Sequence, residues 1–175
     1  SRCTPAERWR STNHLCGPGY WTWLIPLASG AHSVGIVADA QMHPIASMNS
    51  YERACDWLTA HQPVLASRLR GQRDKLLDFA FFRDYSYGCS RVFSADRWAL
   101  TGEAGPFLDP FYSPGTDFIA IANTYICMLV KHELAGRPLA PYARLHERLF
   151  LSFYQSTLSL YKNQYPLMGN AQVLP

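Results

Sequence analysis

Several common signatures are missing from this sequence of 175 residues. No segment reads as a strand followed by Gly-x-Gly-x-x-Gly, and no P-loop is present, although a dinucleotide-binding fold normally begins with such a turn. The five cysteines never form Cys-x-x-Cys and the six histidines lack metal-ligand spacing, so we expect no metal site. The cysteines, which we expect to be free thiols of a reducing cytoplasm, are Cys3, Cys16, Cys55, Cys89 and Cys127.

Neither charge nor hydropathy indicates a nucleic acid or a membrane as partner. The net charge is +3, and the sixteen Lys and Arg residues are scattered rather than gathered in a basic patch. The longest apolar stretch, residues 118–130, contains Asn123 and is too short to span a bilayer. The N-terminal residues lack the apolar segment of a signal peptide. We therefore expect a cytoplasmic protein.

The pattern of apolar residues predicts an α+β fold, with an antiparallel sheet first and a strand, a loop and two long helices after it. Strands are predicted over residues 20–27 and 33–38 around a turn at Gly30, and again over residues 75–93 and 98–101. If a dinucleotide is bound, its pyrophosphate-binding element is expected outside these residues.

Four helices are predicted from their start signals. The first follows Ser50 as its N-cap, and the second opens at Pro63 and closes near Gly71. The third has Thr116 or Asp117 as its N-cap, runs through about Leu134 and is ended by Gly136. The fourth covers about residues 141–161 and carries a broad apolar face with Leu145, Leu149, Phe153 and Leu160.

A loop rich in glycine and proline, GEAGPFLDPFYSPG, occupies residues 102–115 between a predicted strand and a predicted helix. Glycines let a ligand approach the backbone, and the start of the helix offers free N–H groups and a positive dipole end. These properties suit an anionic or electron-rich group such as a flavin ring or a ribityl phosphate chain. A solvated connection explains the same residues, and both interpretations stay open.

Two tryptophans stand at alternate positions of the segment GYWTWLIP in a chain that is 14% aromatic. On a strand, Trp21 and Trp23 point to the same face. They either wall a substrate tunnel or belong to an aromatic-rich core. His14, which follows Asn13, is either a pocket residue or a packing histidine.

Together the two segments resemble signatures of flavin-dependent halogenases. The W-x-W-x-I-P pattern that begins at Trp21 is similar to the signature of that group. Residues 98–123, with their G-E-A-G, D-P-F and S-P-G pieces, are similar to its second flavin-contacting segment. The order and spacing of these pieces agree with the C-terminal portion of a halogenase over essentially the whole chain.

The resemblance implies a fold and a division into domains. Residues 1–95 would form a substrate-binding antiparallel sheet with inserted helices. Residues 96–136 would be the return segment of the FAD domain, with strand, flavin loop and helix, and residues 137–175 a C-terminal helical segment. The loop is shared with FAD-dependent monooxygenases of the para-hydroxybenzoate-hydroxylase type, whose N-terminal nucleotide-binding half is missing from these residues.

The resemblance also implies an activity. In such enzymes reduced FAD and O₂ give a flavin hydroperoxide, halide attacks it, and hypohalous acid passes two tryptophans to reach an electron-rich aromatic ring. The implied cofactor is FAD, the substrate is aromatic or carrier-bound, and the outcome is halogenation or hydroxylation. A flavin reductase is the implied partner that supplies reduced FAD.

The site residues are carried over by position. Residues 102–103 would lie near the ribityl and phosphate region of FAD, residues 109–110 would form the turn under the isoalloxazine ring, and residues 113–115 would lie beside it. The implied cofactor-binding set is Gly102, Glu103, Asp109, Pro110, Ser113, Pro114 and Gly115, and the tunnel-lining pair is Trp21 and Trp23.

Three positions depart from the halogenase pattern. Glu103 stands where Asp is usual, so its hydrogen bond must be re-aimed. Tyr112 stands where tryptophan-type halogenases have a catalytic Glu, which argues against free tryptophan as substrate. Pro114 has no N–H, whereas the halide in such enzymes is held by adjacent backbone N–H groups of this loop.

These departures keep two alternatives open. A hydroxylase or oxidase on the same scaffold would keep FAD and need no halide site. A non-catalytic remnant or partner-binding module would follow from the missing nucleotide-binding half, because an isolated C-terminal part lacks the site for the diphosphate of FAD.

Overall fold

The computed structural model describes residues 10–173, which belong to two compact units. The first unit comprises Ser1–Arg83 and Asn163–Pro175, and the second Asp84–Lys162. Cys16, Cys55, Cys89 and Cys127 are free thiols, while Cys3 and most of the segment inspected for a signal peptide lie outside the described residues. The predicted division at residues 95 and 136 stays a prediction, since compact units need not coincide with functional domains.

A three-stranded antiparallel sheet organises the first unit. Its strands β1 (Asn13–Gly17), β2 (Tyr20–Pro26) and β3 (His32–Ala38) pair in that order. The predictions for β2 and β3 are confirmed. The short strand β1 was missed because NHLCG lacks a clear alternation of apolar and polar residues.

Gly35 lies opposite Trp23 in the pairing of β2 with β3. A Cβ atom at residue 35 would come within 2.0 Å of the indole ring, so glycine lets the ring lie across the neighbouring strand. The Trp23 Nε1 atom donates a hydrogen bond to Ser33 Oγ at 3.0 Å. The hydrogen bond to Ser33 and the absence of a side chain at Gly35 thus hold the Trp23 indole against β3.

Two helices pack on one face of the sheet. Helix α1 (Tyr51–His61) is N-capped by Ser50, whose side chain accepts from the Arg53 backbone N–H. Helix α2 (Pro63–Arg70) begins with its proline and is followed by Gly71 at its C-cap, so both helix predictions are confirmed. The core of this unit contains Tyr20, Met48, Ala54, Trp57, Leu58, Leu65 and Ala66.

The strands predicted over residues 75–93 and 98–101 are wrong. This part of the chain forms only isolated bridges, Tyr87 with Phe107 and Phe93 with Ala99. The alternating aromatic residues have the period of a strand, but a strand also needs a neighbour along its length, and β-propensity depends on that context. Leu77 and Phe82 instead remain 84% and 75% exposed.

Two long helices build the second unit. Helix α3 (Gly115–Leu134) and helix α4 (Leu139–Leu158) confirm the predicted pair of helices, but the predicted N-cap of α3 at Thr116 or Asp117 is wrong, since its N-cap is Pro114. Gly136 follows α3 with a φ of +66° that favours glycine. The core of the unit includes Val92, Phe93, Leu108, Phe118, Ala122, Phe150 and Tyr154.

Helix α4 buries a different face from its predicted apolar face. The predicted apolar residues are exposed by 51% (Leu145), 49% (Leu149), 37% (Phe153) and 58% (Leu160). The buried residues are Ala143, His146, Phe150, Tyr154 and Thr157. The polar residues His146 and Thr157 lie on the buried side, so the pattern of apolar residues alone does not mark that face. No helix within residues 10–173 combines the length and apolar character that a bilayer-spanning segment needs.

Burial of His146 predicts a pH-dependent second unit. Its ring stacks on Tyr125 with centroids 4.4 Å apart, and its Nδ1 atom has no hydrogen-bond partner. Burial lowers the pKa of His146, and the nearby His132 lowers it further. The unfolded chain gains its proton near pH ~6.5, where the folded chain still resists it, so stability is complete above that pH and falls as pH decreases. We expect the urea midpoint of this unit to drop between about pH 7 and pH 5, and to drop less in His146→Phe. An equal drop in both proteins would contradict this assignment.

Candidate functional site

The loop at residues 102–115 is an ordered sequence of two single-turn 3-10 helices, Gly102–Ala104 and Pro110–Tyr112. Gly102 has a φ of +60°, a left-handed conformation that suits glycine. Ser113 has a φ of +54° and joins the second turn to α3. The loop therefore turns sharply at both ends instead of running as an extended connection.

The first half of the loop is tied to Tyr87. The Tyr87 N–H donates to the Phe107 carbonyl at 3.0 Å, and the Phe107 N–H donates to the Tyr87 carbonyl at 2.8 Å. Ser86 Oγ donates to the same Phe107 carbonyl at 3.1 Å. The Tyr87 hydroxyl donates to the carbonyl of Glu103, so the backbone of residue 103 is held while its side chain remains exposed.

Asp109 is the polar residue on which the second turn depends. It is only 5% exposed, and its Oδ1 accepts from the Phe111 N–H at 2.8 Å. The Tyr85 hydroxyl donates to Oδ2 at 3.1 Å. The structure thus places the Tyr85 hydroxyl on this buried carboxylate.

A second tyrosine holds the far side of the turn. The Tyr112 N–H donates to the Tyr161 hydroxyl at 3.3 Å, and the two rings lie 5.5 Å apart. Burial is the main cause that raises the pKa of Tyr161 to about 12. The phenol therefore stays protonated at neutral pH and stays compatible with the neighbouring Asp109.

Helix α3 starts with an open N-terminus. Its N-cap is Pro114, no side chain among residues 10–173 caps the first turn, and Pro114 itself has no N–H to donate. A Cβ atom at Gly115 would meet nothing within 4 Å, so the space beside this residue is open. The arrangement offers backbone N–H groups and a helix dipole to an anionic or electron-rich group, although Asp117 in the first turn offsets part of that positive potential.

The two tryptophans lie in the first unit and share a face of β2. Their ring centroids are 5.6 Å apart. Trp21 is 2% exposed, and its Nε1 donates to the Tyr165 hydroxyl at 3.3 Å. His14 packs edge-on against Trp21 with centroids 5.0 Å apart, so it is a packing partner here. Trp23 is half-buried and is the more accessible of the pair.

Sequence reasoning missed the side chains that support the loop from a distance. Glu147 on α4 accepts from the Val92 and Phe93 N–H groups at 2.9 and 3.3 Å. Thr101 donates to Asn123 Oδ1 at 2.9 Å. These partners lie 22 to 55 residues apart, and no local pattern marks such pairs.

Comparison with known proteins identifies relatives of the chain. It is 27% identical to the flavin-dependent halogenase chlA of Dictyostelium discoideum over 167 residues, 93% of this chain and 27% of that protein. It is 33% identical to the flavin-dependent halogenase ascD of Acremonium egyptiacum over 138 residues, 77% of this chain and 24% of the relative. A third relative, the 1H-pyrrole-2-carbonyl-[peptidyl-carrier protein] brominase of Pseudoalteromonas luteoviolacea, is 29% identical over 67% of this chain and 28% of its own length. No family model matches the chain.

The chain is also similar to a solved structure of a flavoprotein. A flavoprotein/dehydrogenase from Cytophaga hutchinsonii superposes with a TM-score of 0.59 at 25% identity, covering 76% of this chain and 32% of that one. The predicted resemblance to flavin-dependent halogenases is confirmed, and the chain spans about a quarter of the length of the halogenases it matches.

Proposed function

We propose that this chain is part of an FAD-dependent oxidoreductase of the halogenase-like group, in which residues 102–115 and the start of α3 contact the flavin. One observation carries the proposal: side chains fix the loop, yet the space beside Gly115 and the first turn of α3 stay open. When bound, the flavin supplies the oxygen-activating redox chemistry, and the protein supplies binding and orientation.

The loop residues fit two different duties. Asp109 directs its carboxylate into the protein, so it and Pro110 shape the turn. Glu103 is exposed while its backbone is held, which suits a carboxylate that accepts hydrogen bonds from ribityl hydroxyls. Gly102 and the segment Ser113, Pro114 and Gly115 would hold the remaining flavin contacts.

An electron-rich aromatic or carrier-bound molecule is the proposed substrate. One relative is named for a substrate on a peptidyl carrier protein, which supports carrier-bound chemistry. Trp23, the accessible member of the pair, would contact the substrate path, and Trp21 would support it from within. A flavin reductase that delivers reduced FAD is the proposed partner.

Pro114 favours a second candidate, a hydroxylase or oxidase on the same scaffold. An anion site that loses one N–H donor should lose about 1.5–3 kcal/mol of binding free energy. The two outcomes differ in the product: mass spectrometry of reactions with and without bromide would show a halide-dependent product for a halogenase. Oxygen insertion that is independent of halide would identify the hydroxylase.

FAD titration of the native protein tests the cofactor assignment. Gly115→Leu should lower FAD affinity at least about tenfold, since a side chain there fills the open space. Folding should be preserved, because leucine is favourable in a helix and a Cβ atom at residue 115 meets nothing within 4 Å. Gly71→Leu, whose Cβ meets only backbone oxygens at 3.6 and 3.7 Å, is the matched control with unchanged affinity. A native protein that binds no FAD would overturn the assignment.

A further inference from the structure

Hydrogen bonds hold the turn at residues 109–113 at both of its ends. At the first end, Tyr85 and the Phe111 N–H bind the two carboxylate oxygens of Asp109. At the other end, Tyr161 accepts from the Tyr112 N–H. Tyr85 precedes Asp109 by 24 residues, so it can hold the turn without belonging to it.

The Asp109 carboxylate links the Tyr85 hydroxyl to the backbone of the turn. Because the residue is 5% exposed, water does not easily replace a lost hydrogen bond to its carboxylate. A hydrogen bond from Tyr85 to Oδ2 fixes the plane of the carboxylate, and this plane directs Oδ1 at the Phe111 N–H. Rotation of the carboxylate would release the 3-10 turn that leads to Ser113.

The backbone conformation of Ser113 is the feature that these hydrogen bonds maintain. Ser113 holds a left-handed φ of +54°, which costs free energy for a non-glycine residue and persists only when its surroundings enforce it. The Ser113 N–H donates to the Pro110 carbonyl at 2.9 Å, so the turn that Asp109 caps is also the turn that ends at this residue. Gly115, where the open space begins, is two residues further on.

We propose that Tyr85 is a positioning residue of the loop: through Asp109 it sets the backbone of residues 110–115 in the conformation that receives the cofactor. That the ligand is a flavin rests on the proposed function. That the turn is set by Tyr85 rests on the hydrogen bonds alone. Tyr85 is assigned no contact with the cofactor, and Tyr161 is its counterpart on the far side of the turn.

Amide hydrogen exchange of the native protein, without added flavin, tests these hydrogen bonds directly. Tyr85→Phe keeps the ring and removes the hydroxyl. We expect exchange in peptides covering residues 110–113 to become about tenfold faster. Tyr142→Phe, in the same unit and stacked on His132, is the matched control and should leave these peptides unchanged.

A double-mutant cycle separates positioning from general structural support. If Tyr85 acts through Asp109, Tyr85→Phe added to Asp109→Ala should change exchange of the turn by less than about twofold. Equal effects of Tyr85→Phe in both backgrounds, or no effect in either, would overturn the proposal.

FAD titration of the same variants then examines the consequence for binding. Tyr85→Phe should weaken FAD affinity about three- to tenfold under conditions in which circular dichroism shows the variant to be fully folded, so that a loss of stability alone does not account for the change. Unaltered FAD affinity in Tyr85→Phe would overturn the positioning role while leaving the proposed function intact. If exchange at residues 110–113 becomes faster in Tyr85→Phe but the native protein binds no FAD, the flavin assignment is overturned. The role of Tyr85 in holding the turn would still be supported.

Discussion

Replacement of Trp21 by alanine should lower the free energy of unfolding of the first unit by about 3–5 kcal/mol, the range for removing a buried large aromatic side chain. Trp21 is 2% exposed, packs against His14 and Trp23, and donates to Tyr165. The substitution leaves a large cavity and removes the hydrogen bond to Tyr165. Urea titration followed by hydrogen exchange of β2 peptides reports this unit separately from the other.

Trp23→Ala is the natural comparison because the two indoles are neighbours on one strand. Trp23 is only half-buried, so its removal should cost clearly less, about 1–2 kcal/mol. Trp21→Phe should fall between the two, since it keeps most of the apolar surface and loses the hydrogen bond. If Trp21→Ala cost no more than Trp23→Ala, Trp21 would not be a core residue of this unit.

The contrast between the two tryptophans separates two roles that the sequence left together. A W-x-W pattern on a strand places both rings on one face whatever they do there. Which ring is enclosed depends on what covers the face, and Tyr165, 144 residues later in the chain, bonds Trp21. A substrate-facing function of Trp23 with Trp21 as its support is therefore the assignment that activity measurements should address, with the stability of each variant known.

Local signals predicted the ends of several helices because the residues that mark these ends lie next to them in the sequence. Ser50, Pro63 and Gly136 act within one turn of the residues they cap, so a single sequence contains the whole cause. The sequence also predicted the paired strands β2 and β3, since the turn at Gly30 joins them directly.

Long-range partnerships were beyond the sequence for the same physical reason. The alternating aromatic residues after residue 75 have the period of a strand. A strand forms only where a second strand pairs along its length, and residues 10–173 do not provide one for this segment. The loop at residues 102–115 was predicted as a ligand-facing segment, yet its shape depends on Tyr85, Tyr87 and Tyr161. Tyrosine hydroxyls that bond distant backbone or carboxylate groups leave no periodic trace.

Glu147→Ala is the second substitution for which we expect a large loss of stability, because the Glu147 carboxylate holds the backbone that precedes the loop at residues 102–115. Its Oε2 accepts from the Val92 and Phe93 N–H groups, and both residues are essentially inaccessible, at 0% and 1% exposure. Glu147→Ala leaves two buried donors unpaired, each costing about 1–3 kcal/mol. We expect the second unit to lose about 2–4 kcal/mol of stability, measured as a lowered urea midpoint.

The isosteric variant Glu147→Gln distinguishes the hydrogen bonds from the packing of the side chain. Its carbonyl oxygen can still accept from the two amides, so the loss should stay near 1 kcal/mol, the difference between a charged and a neutral acceptor. Glu133→Ala is a control on α3, since its ion pair with Arg97 is largely solvent-exposed and should contribute less than about 1 kcal/mol. If Glu147→Ala and Glu147→Gln were equally mild, water would be reaching the Val92 and Phe93 amides, and the path from α4 to the loop would lose its main link. If both were equally severe, the negative charge of Glu147 itself would be required for the contact with the two amides.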